Sequence, residues 1–227
     1  MKKAIGLGVA FAVLMIMALA PATTAYKFSA NETQLQIIND LQGQDITKGE
    51  LYEILQPELV EGLSEERQKL LYETKVNWPD YSKVYASSQG DSESTNVKET
   101  IIINTNDVDS DPTPAILMRH LSDITASGRE LEGRSESWVV FPPYLKMPTG
   151  EITSAVCKLD EGGETGTVLA YETEGAEDTY NLKAEVSVTV SEPGEYFCHG
   201  EHYFTAPVGF TPPVVQGPTA SDLVTVR

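Results

Sequence analysis

Apolar positions along the chain follow two rhythms. From about Ser29 to Val84 they recur at helical spacing. "SANETQLQIINDL" sets Ser29 and Glu32 at capping-box distance and then places Leu35, Ile38 and Leu41 on one face. "TKGELYEIL" repeats the device with Thr47 and Glu50, followed by Leu51, Ile54 and Leu55. That helix must stop near Pro57, which has no backbone N–H to donate. "SEERQKLLYETKV" opens at Ser64 with acids in its first turn, where the helix dipole favours them. The spacing predicts three short amphipathic helices in a small bundle, their leucine stripe serving as ordinary core.

"VYASSQGDSESTN" breaks the rhythm with Ser, Gly, Asp and Asn, the composition of a linker. From Lys98 the period becomes two. "ETIIINT", "ESWVVF", "ITSAVCKL", "GTVLAYET", "AEVSVTV", "EYFCHGEHYF" and "SDLVTV" are short β-branched and aromatic runs, separated by turns rich in Gly, Pro and Asp. Such spacing predicts an antiparallel sandwich or barrel. "AILMRHLSDITASG" fits either a strand pair or a short helix. The fold class is therefore α+β. A helical N-terminal domain covers 26–85, a linker 86–97, and a β-sandwich domain 98–227.

Residues 1–25, "MKKAIGLGVAFAVLMIMALAPATTA", combine two lysines, an apolar run and small residues at Thr23 and Ala25. This is the grammar of a secretory signal peptide, cleaved after Ala25. The competing reading is an uncleaved membrane anchor. No second hydrophobic run follows, so no membrane span is expected once the leader is removed.

The full chain carries a net charge of −18. Loss of the leader takes away Lys2 and Lys3 and no acid, so the expected mature chain is more negative still. Such a surface repels nucleic acid and anionic membrane, since phosphate binding needs clustered Lys and Arg. Solubility, adaptation to high salt and weak collective binding of divalent cations are all compatible with the acid excess.

The chain has two cysteines, Cys157 in "ITSAVCKL" and Cys198 in "GEYFC". In an exported chain such a pair is most simply a disulfide. "EPGEYFC" resembles the strand-F approach of immunoglobulin-like domains, with Gly194, Tyr196 and Cys198 in place and Glu192 where an aspartate is usual. The resemblance covers roughly Ser137 to Arg227. It implies a sandwich whose two sheets are bridged by Cys157 and Cys198, with Tyr196 turning its hydroxyl back to the backbone. No tryptophan follows Cys157 at the usual distance; Trp138 precedes it. Another disulfide-stapled β-fold remains the alternative. The resemblance implies no chemistry, because this fold hosts adhesion, binding and enzyme-accessory modules.

Candidate chemistry is sparse. "NTNDVDSDP" gathers Asp107, Asp109 and Asp111 in one loop, but Pro112 and Met118 occupy positions where an EF-hand needs Gly and Glu. A polar turn accounts for it. "CHGEH" places His199 and His202 behind Cys198 as metal-ligand candidates. On a strand, positions i and i+3 face opposite ways, which argues against shared ligation. There is no G-x-S-x-G, Walker loop or dinucleotide fingerprint, so no catalytic residue or cofactor is assigned. "NET" at Asn31 is a glycosylation sequon in hosts that use one. The expectation is an exported acidic, non-enzymatic binding or structural module of the cell surface or extracellular space, with a protein or glycan partner. The alternative is a secreted hydrolase precursor with a helical pro-region at 26–85.

Overall fold

The computed structural model describes residues 25–89, 97–104 and 114–227. Residues 1–24, nearly all of the expected leader, and the Asp107, Asp109 and Asp111 loop lie outside the described residues. A short strand, β1 (Tyr26–Ser29), comes first. Five helices follow: α1 (Glu32–Leu41), α2 (Lys48–Leu55), α3 (Pro57–Glu61), α4 (Glu65–Glu73) and α5 (Tyr81–Ser88). The remaining strands are β2 (Val97–Asn104), β3 (Pro114–Ser127), β4 (Glu130–Phe141), β5 (Met147–Leu159), β6 (Gly166–Thr179), β7 (Asn181–Thr189), β8 (Gly194–Thr205), β9 (Phe210–Thr211), β10 (Val214–Ala220) and β11 (Val224–Val226).

Local signals account for most helix starts. Thr47 and Glu50 form the expected capping box of α2, and the Ser64 side chain accepts from Arg67 N at the start of α4. Pro57 follows the end of α2 at Leu55 and occupies the first turn of α3, where its missing N–H costs nothing. The first cap differs from expectation. Asn31 and Gln34 form it, because Ser29 is already committed to β1. At the other end, α5 continues to Ser88, so helix occupies the first residues of the expected 86–97 linker.

All described strand pairs are antiparallel. One sheet runs β1-β6-β5-β8-β10, with β11 also on β8; the other runs β7-β4-β3-β2-β9. "AILMRHLSDITAS" is strand throughout, in β3, paired to β2 and β4. Ile102, Ile116, Met118 and Val139 of the second sheet pack with Ile152, Phe204 and Val215 of the first. Farther along, Leu131 and Val186 meet Val156, Tyr196 and Cys198. The two sheets therefore pack face to face, an arrangement compatible with a β-sandwich.

The helical segment does not keep a core to itself. Ile38, Leu51, Tyr52, Leu71 and Val84 share one cluster with Ala155, Cys157, Val168, Tyr171 and Phe197, on the far face of the first sheet. Tyr26–Ser29, expected within the helical domain, is a strand paired to Glu172–Gly175 of β6. Beyond β1 the β6 edge is closed by one side chain. Asn39 Nδ2 donates to Val168 O at 2.9 Å, and Asn39 Oδ1 accepts from Val168 N at 2.8 Å. An amide thus stands in for a neighbouring strand at an otherwise open edge. The first sheet is covered on both faces, which explains why "EITSAVCKL" loses its alternation and is buried at nearly every position.

Candidate functional site

The two cysteines are not bonded. β5 and β8 are adjacent strands of one sheet, with Val156 opposite Cys198 and Cys157 opposite Phe197. Successive residues face opposite ways, so the register sends Cys157 into the helix-facing cluster and Cys198 between the sheets. The inter-sheet bridge implied by the immunoglobulin-like resemblance is corrected accordingly. Burial holds both thiols above the usual range and keeps them protonated. Gly194 opens β8 opposite Val226. The Tyr196 hydroxyl donates to Glu192 O at 2.6 Å, the backward turn expected of a tyrosine at that place.

His199 and His202 are likewise on opposite faces and share no site. His202 lies between the sheets in a continuous polar ladder. Ser137 Oγ is 2.8 Å from both His120 Nδ1 and His202 Nδ1, while His120 Nε2 reaches Thr100 Oγ1 at 3.2 Å. His202 Nε2 meets Thr219 Oγ1 at 2.7 Å, and from there hydroxyls of Ser122 and Ser135 carry the contacts to Cys198 Sγ. Each imidazole nitrogen thus has a partner, as buried polar groups require. Burial holds both imidazoles below the usual range, His120 at about 4. They are neutral at pH 7, so Ser137 donates to one ring and accepts from the other. Gly200 makes room for this ladder. A Cβ there would collide with Ser122 Oγ and lie 2.6 Å from Ser135 Oγ.

A second buried cluster joins the helices to the sheet. Lys48 Nζ lies 2.7 Å from Glu151 Oε1 and 3.2 Å from Glu201 Oε2, with all three side chains almost wholly buried. Tyr52 OH donates to Glu151 Oε1 at 2.8 Å and Tyr26 OH to Glu151 Oε2. Asn77 N donates to Glu201 Oε1 at 2.9 Å. Burial alone would lower the Lys48 pKa, but the two carboxylates outweigh it and raise it. Burial would likewise raise Glu151, yet the Lys48 charge and three hydrogen bonds hold it below the usual carboxylate range. Sequence reasoning missed this cluster. Its faint signal is a lysine in the first turn of α2, against the dipole, and a glutamate inside a run of small and apolar strand residues.

Two of the clefts among the described residues bear on these groups. One, of about 450 Å³, lies where the β6 and β7 edges part, floored by Leu169 and Val188 and spanned by a Lys158–Glu192 ion pair. The other, of about 100 Å³, lies between α5 and β10 and reaches His199. His199 Nε2 is 2.9 Å from Asn77 O. A carbonyl only accepts, so Nε2 carries the proton and Nδ1 keeps its lone pair. Among the described residues no group of three or more His, Cys, Asp or Glu could hold a metal ion, and no helix is long and apolar enough to cross a membrane.

No protein family model matches the chain, and no curated protein matches it. Among solved structures, β-glucosidase 3B from Thermotoga neapolitana in complex with α-D-glucose aligns at 11% identity with a TM-score of 0.27. The alignment covers 64% of this chain and 20% of that one, so the chain spans about a fifth of that structure's length. A likeness at this level carries no argument about fold or activity.

Proposed function

We propose that this is an exported, acidic, non-enzymatic binding or structural module of the cell surface or extracellular space, built on an immunoglobulin-like β-sandwich. One observation carries the reading: Lys48 of α2 pairs with both Glu151 and Glu201 of the sheet. Excising 26–85 would leave two carboxylates without their cation and strip an apolar face, so the helices are a working part of the fold. This weighs against a hydrolase precursor with a removable pro-region. His120, His202 and Cys198 are engaged in the hydroxyl ladder between the sheets, and Glu151 and Glu201 with Lys48 in the interior. What the module offers a protein or glycan partner is its outside. There Tyr144 and Tyr180 pack edge to face at 5.6 Å, and Ile101 and Phe141 are more than half exposed. The Tyr196 corner supports the immunoglobulin-like part of the reading. The unbridged cysteines limit that likeness to the approach to β8.

The test is the intact mass and N-terminal sequence of the protein recovered from outside the cell. The expected chain begins at Tyr26 and retains 26–85. A chain beginning near Ser87 to Thr95 would overturn the reading in favour of the precursor. Met1 at the N-terminus would instead mean an uncleaved anchor.

A further inference from the structure

The smaller cleft has features of a built site. His199 is 5% exposed, yet its Nδ1 has no hydrogen-bond partner among the described residues and the ring lines the cleft. Burial holds this imidazole below its ordinary pKa, so the nitrogen is a bare acceptor at neutral pH. Trp78, Val84, Pro218 and Ala220 supply apolar walls, and Asp80, Lys83 and Thr219, whose hydroxyl is engaged with His202 and Ser122, complete the lining. The polar and aromatic parts are held in place before any ligand arrives. Trp78 Nε1 donates to Gln44 O at 2.8 Å, which sets the plane of the indole. Asp80 Oδ1 caps α5 by accepting from Lys83 N at 3.1 Å and also accepts from Ser82 Oγ at 2.9 Å. Asp80 Oδ2 is left for another donor.

The chemistry of the lining selects a class of ligand. Asp80 and Lys83 carry opposite charges, so the cleft does not select for net charge, and the acidic chain as a whole disfavours anions. An indole face beside two acceptors and one ammonium donor suits a compact molecule with hydroxyls around a C–H face. A simple ammonium ion would use the acceptors and the indole but would meet Lys83 as a like charge.

We propose that the cleft between α5 and β10 is a subsite for one neutral sugar ring of a glycan. Trp78 is the stacking wall, His199 Nδ1 and Asp80 Oδ2 accept from sugar hydroxyls, and Lys83 donates to one. The assignment rests on the reading of the protein as a binding module and names a ligand class for it. A volume of about 100 Å³ takes part of one ring and leaves the rest of a glycan in solvent.

The experiment is a titration of the full mature chain, followed by amide, indole and imidazole NMR signals. The probes are glucose, galactose, mannose and N-acetylglucosamine, with ethylammonium as a separate arm. At least one sugar should shift the Trp78 indole and His199 signals together, with a dissociation constant of order millimolar. Trp78→Leu should weaken that binding about tenfold. Lys83→Ala, an exposed change that leaves the fold intact, should weaken the sugar severalfold. Sugar binding unchanged in Lys83→Ala and Trp78→Leu would overturn the assignment, as would no shift at Trp78 or His199 with any sugar. Ethylammonium binding that strengthens in Lys83→Ala would make the cleft a cation site instead. Sugar shifts confined to the Tyr144 and Tyr180 face would remove this subsite while leaving the binding-module reading in place.

Discussion

Lys48, in the first turn of α2, and Glu151, on β5, meet at 2.7 Å with side chains 2% and 3% exposed. The ammonium also reaches Glu201 at 3.2 Å, so one cation serves two buried carboxylates from neighbouring strands. Replacing a buried charge cluster by well-packed apolar groups can be neutral, but removing one partner strands the others. Lys48→Met should therefore destabilise the protein by roughly 3–5 kcal/mol. The triple variant Lys48→Met, Glu151→Leu, Glu201→Leu should recover much of that loss. Urea unfolding of the two variants checks the pair; equal losses in both would mean that stranded carboxylates are not the source of the cost.

The same interface sets the behaviour of fragments. A chain of residues 97–227 exposes Ala155, Cys157, Tyr171 and Phe197 and leaves Glu151 and Glu201 without Lys48. It should be insoluble or lack a cooperative thermal transition when expressed alone. A soluble fragment with a sharp melt would show that the helical layer is dispensable.

Both thiols should be free and shielded. Ellman titration should count none in the native protein and two after denaturation, and intact mass should show no loss of two hydrogens. Cys198 is surrounded by Ser154 Oγ at 3.3 Å and Ser135 Oγ at 3.6 Å, so Cys198→Ser finds hydrogen-bond partners. Cys157 sits in an apolar cluster where the Tyr81 hydroxyl, already donating to Gln42 Oε1, is its one side-chain hydrogen-bonding neighbour among the described residues. Cys157→Ser should cost more unfolding free energy than Cys198→Ser does, by a margin of about 1 kcal/mol, and lower the melting temperature further.

Acid should weaken the fold before carboxylates titrate. His120 and His202 are neutral when folded and bind protons readily when unfolded, so the unfolded state takes up protons first as pH falls. Their contribution is complete above the unfolded pKa, about 6.5; that of His120 is lost as pH falls toward about 4, and that of His202, held well below its ordinary value, is lost as pH falls further. For His120 alone the loss is of order 3 kcal/mol. Glu151, held below the usual range, adds a further loss at lower pH. Denaturant midpoints between pH 7 and pH 4 test this. The upper limb should flatten in His120→Asn, and an unchanged slope would place the acid sensitivity elsewhere.

Gly200 should be intolerant of a side chain. A Cβ there would displace the hydroxyls of Ser122, Ser135 and Thr219. Gly200→Ala should cost about 1–3 kcal/mol by overpacking. Adding Ser122→Ala should return part of it, and strictly additive losses would argue against a direct collision.

Much of the local structure was legible in sequence because its causes are local. Thr47 with Glu50, Ser64, and Pro57 each act within one helical turn, and in β4 and β7 the period-two runs match alternating burial. Tyr196 two residues before Cys198 likewise marked a short-range contact, its hydroxyl reaching back to Glu192. Tertiary structure decided which faces these elements share. Sequence placed Cys157 and Cys198 each on a strand, but only the pairing of β5 with β8 made them neighbours with opposed side chains. Tyr26–Ser29 became a strand because β6 offered an edge to pair with. Lys48, Glu151 and Glu201 lie far apart along the chain and carry no joint pattern. Their meeting depends on how the helical layer seats against the first sheet, where the energy of a buried cation depends on carboxylates supplied by other elements.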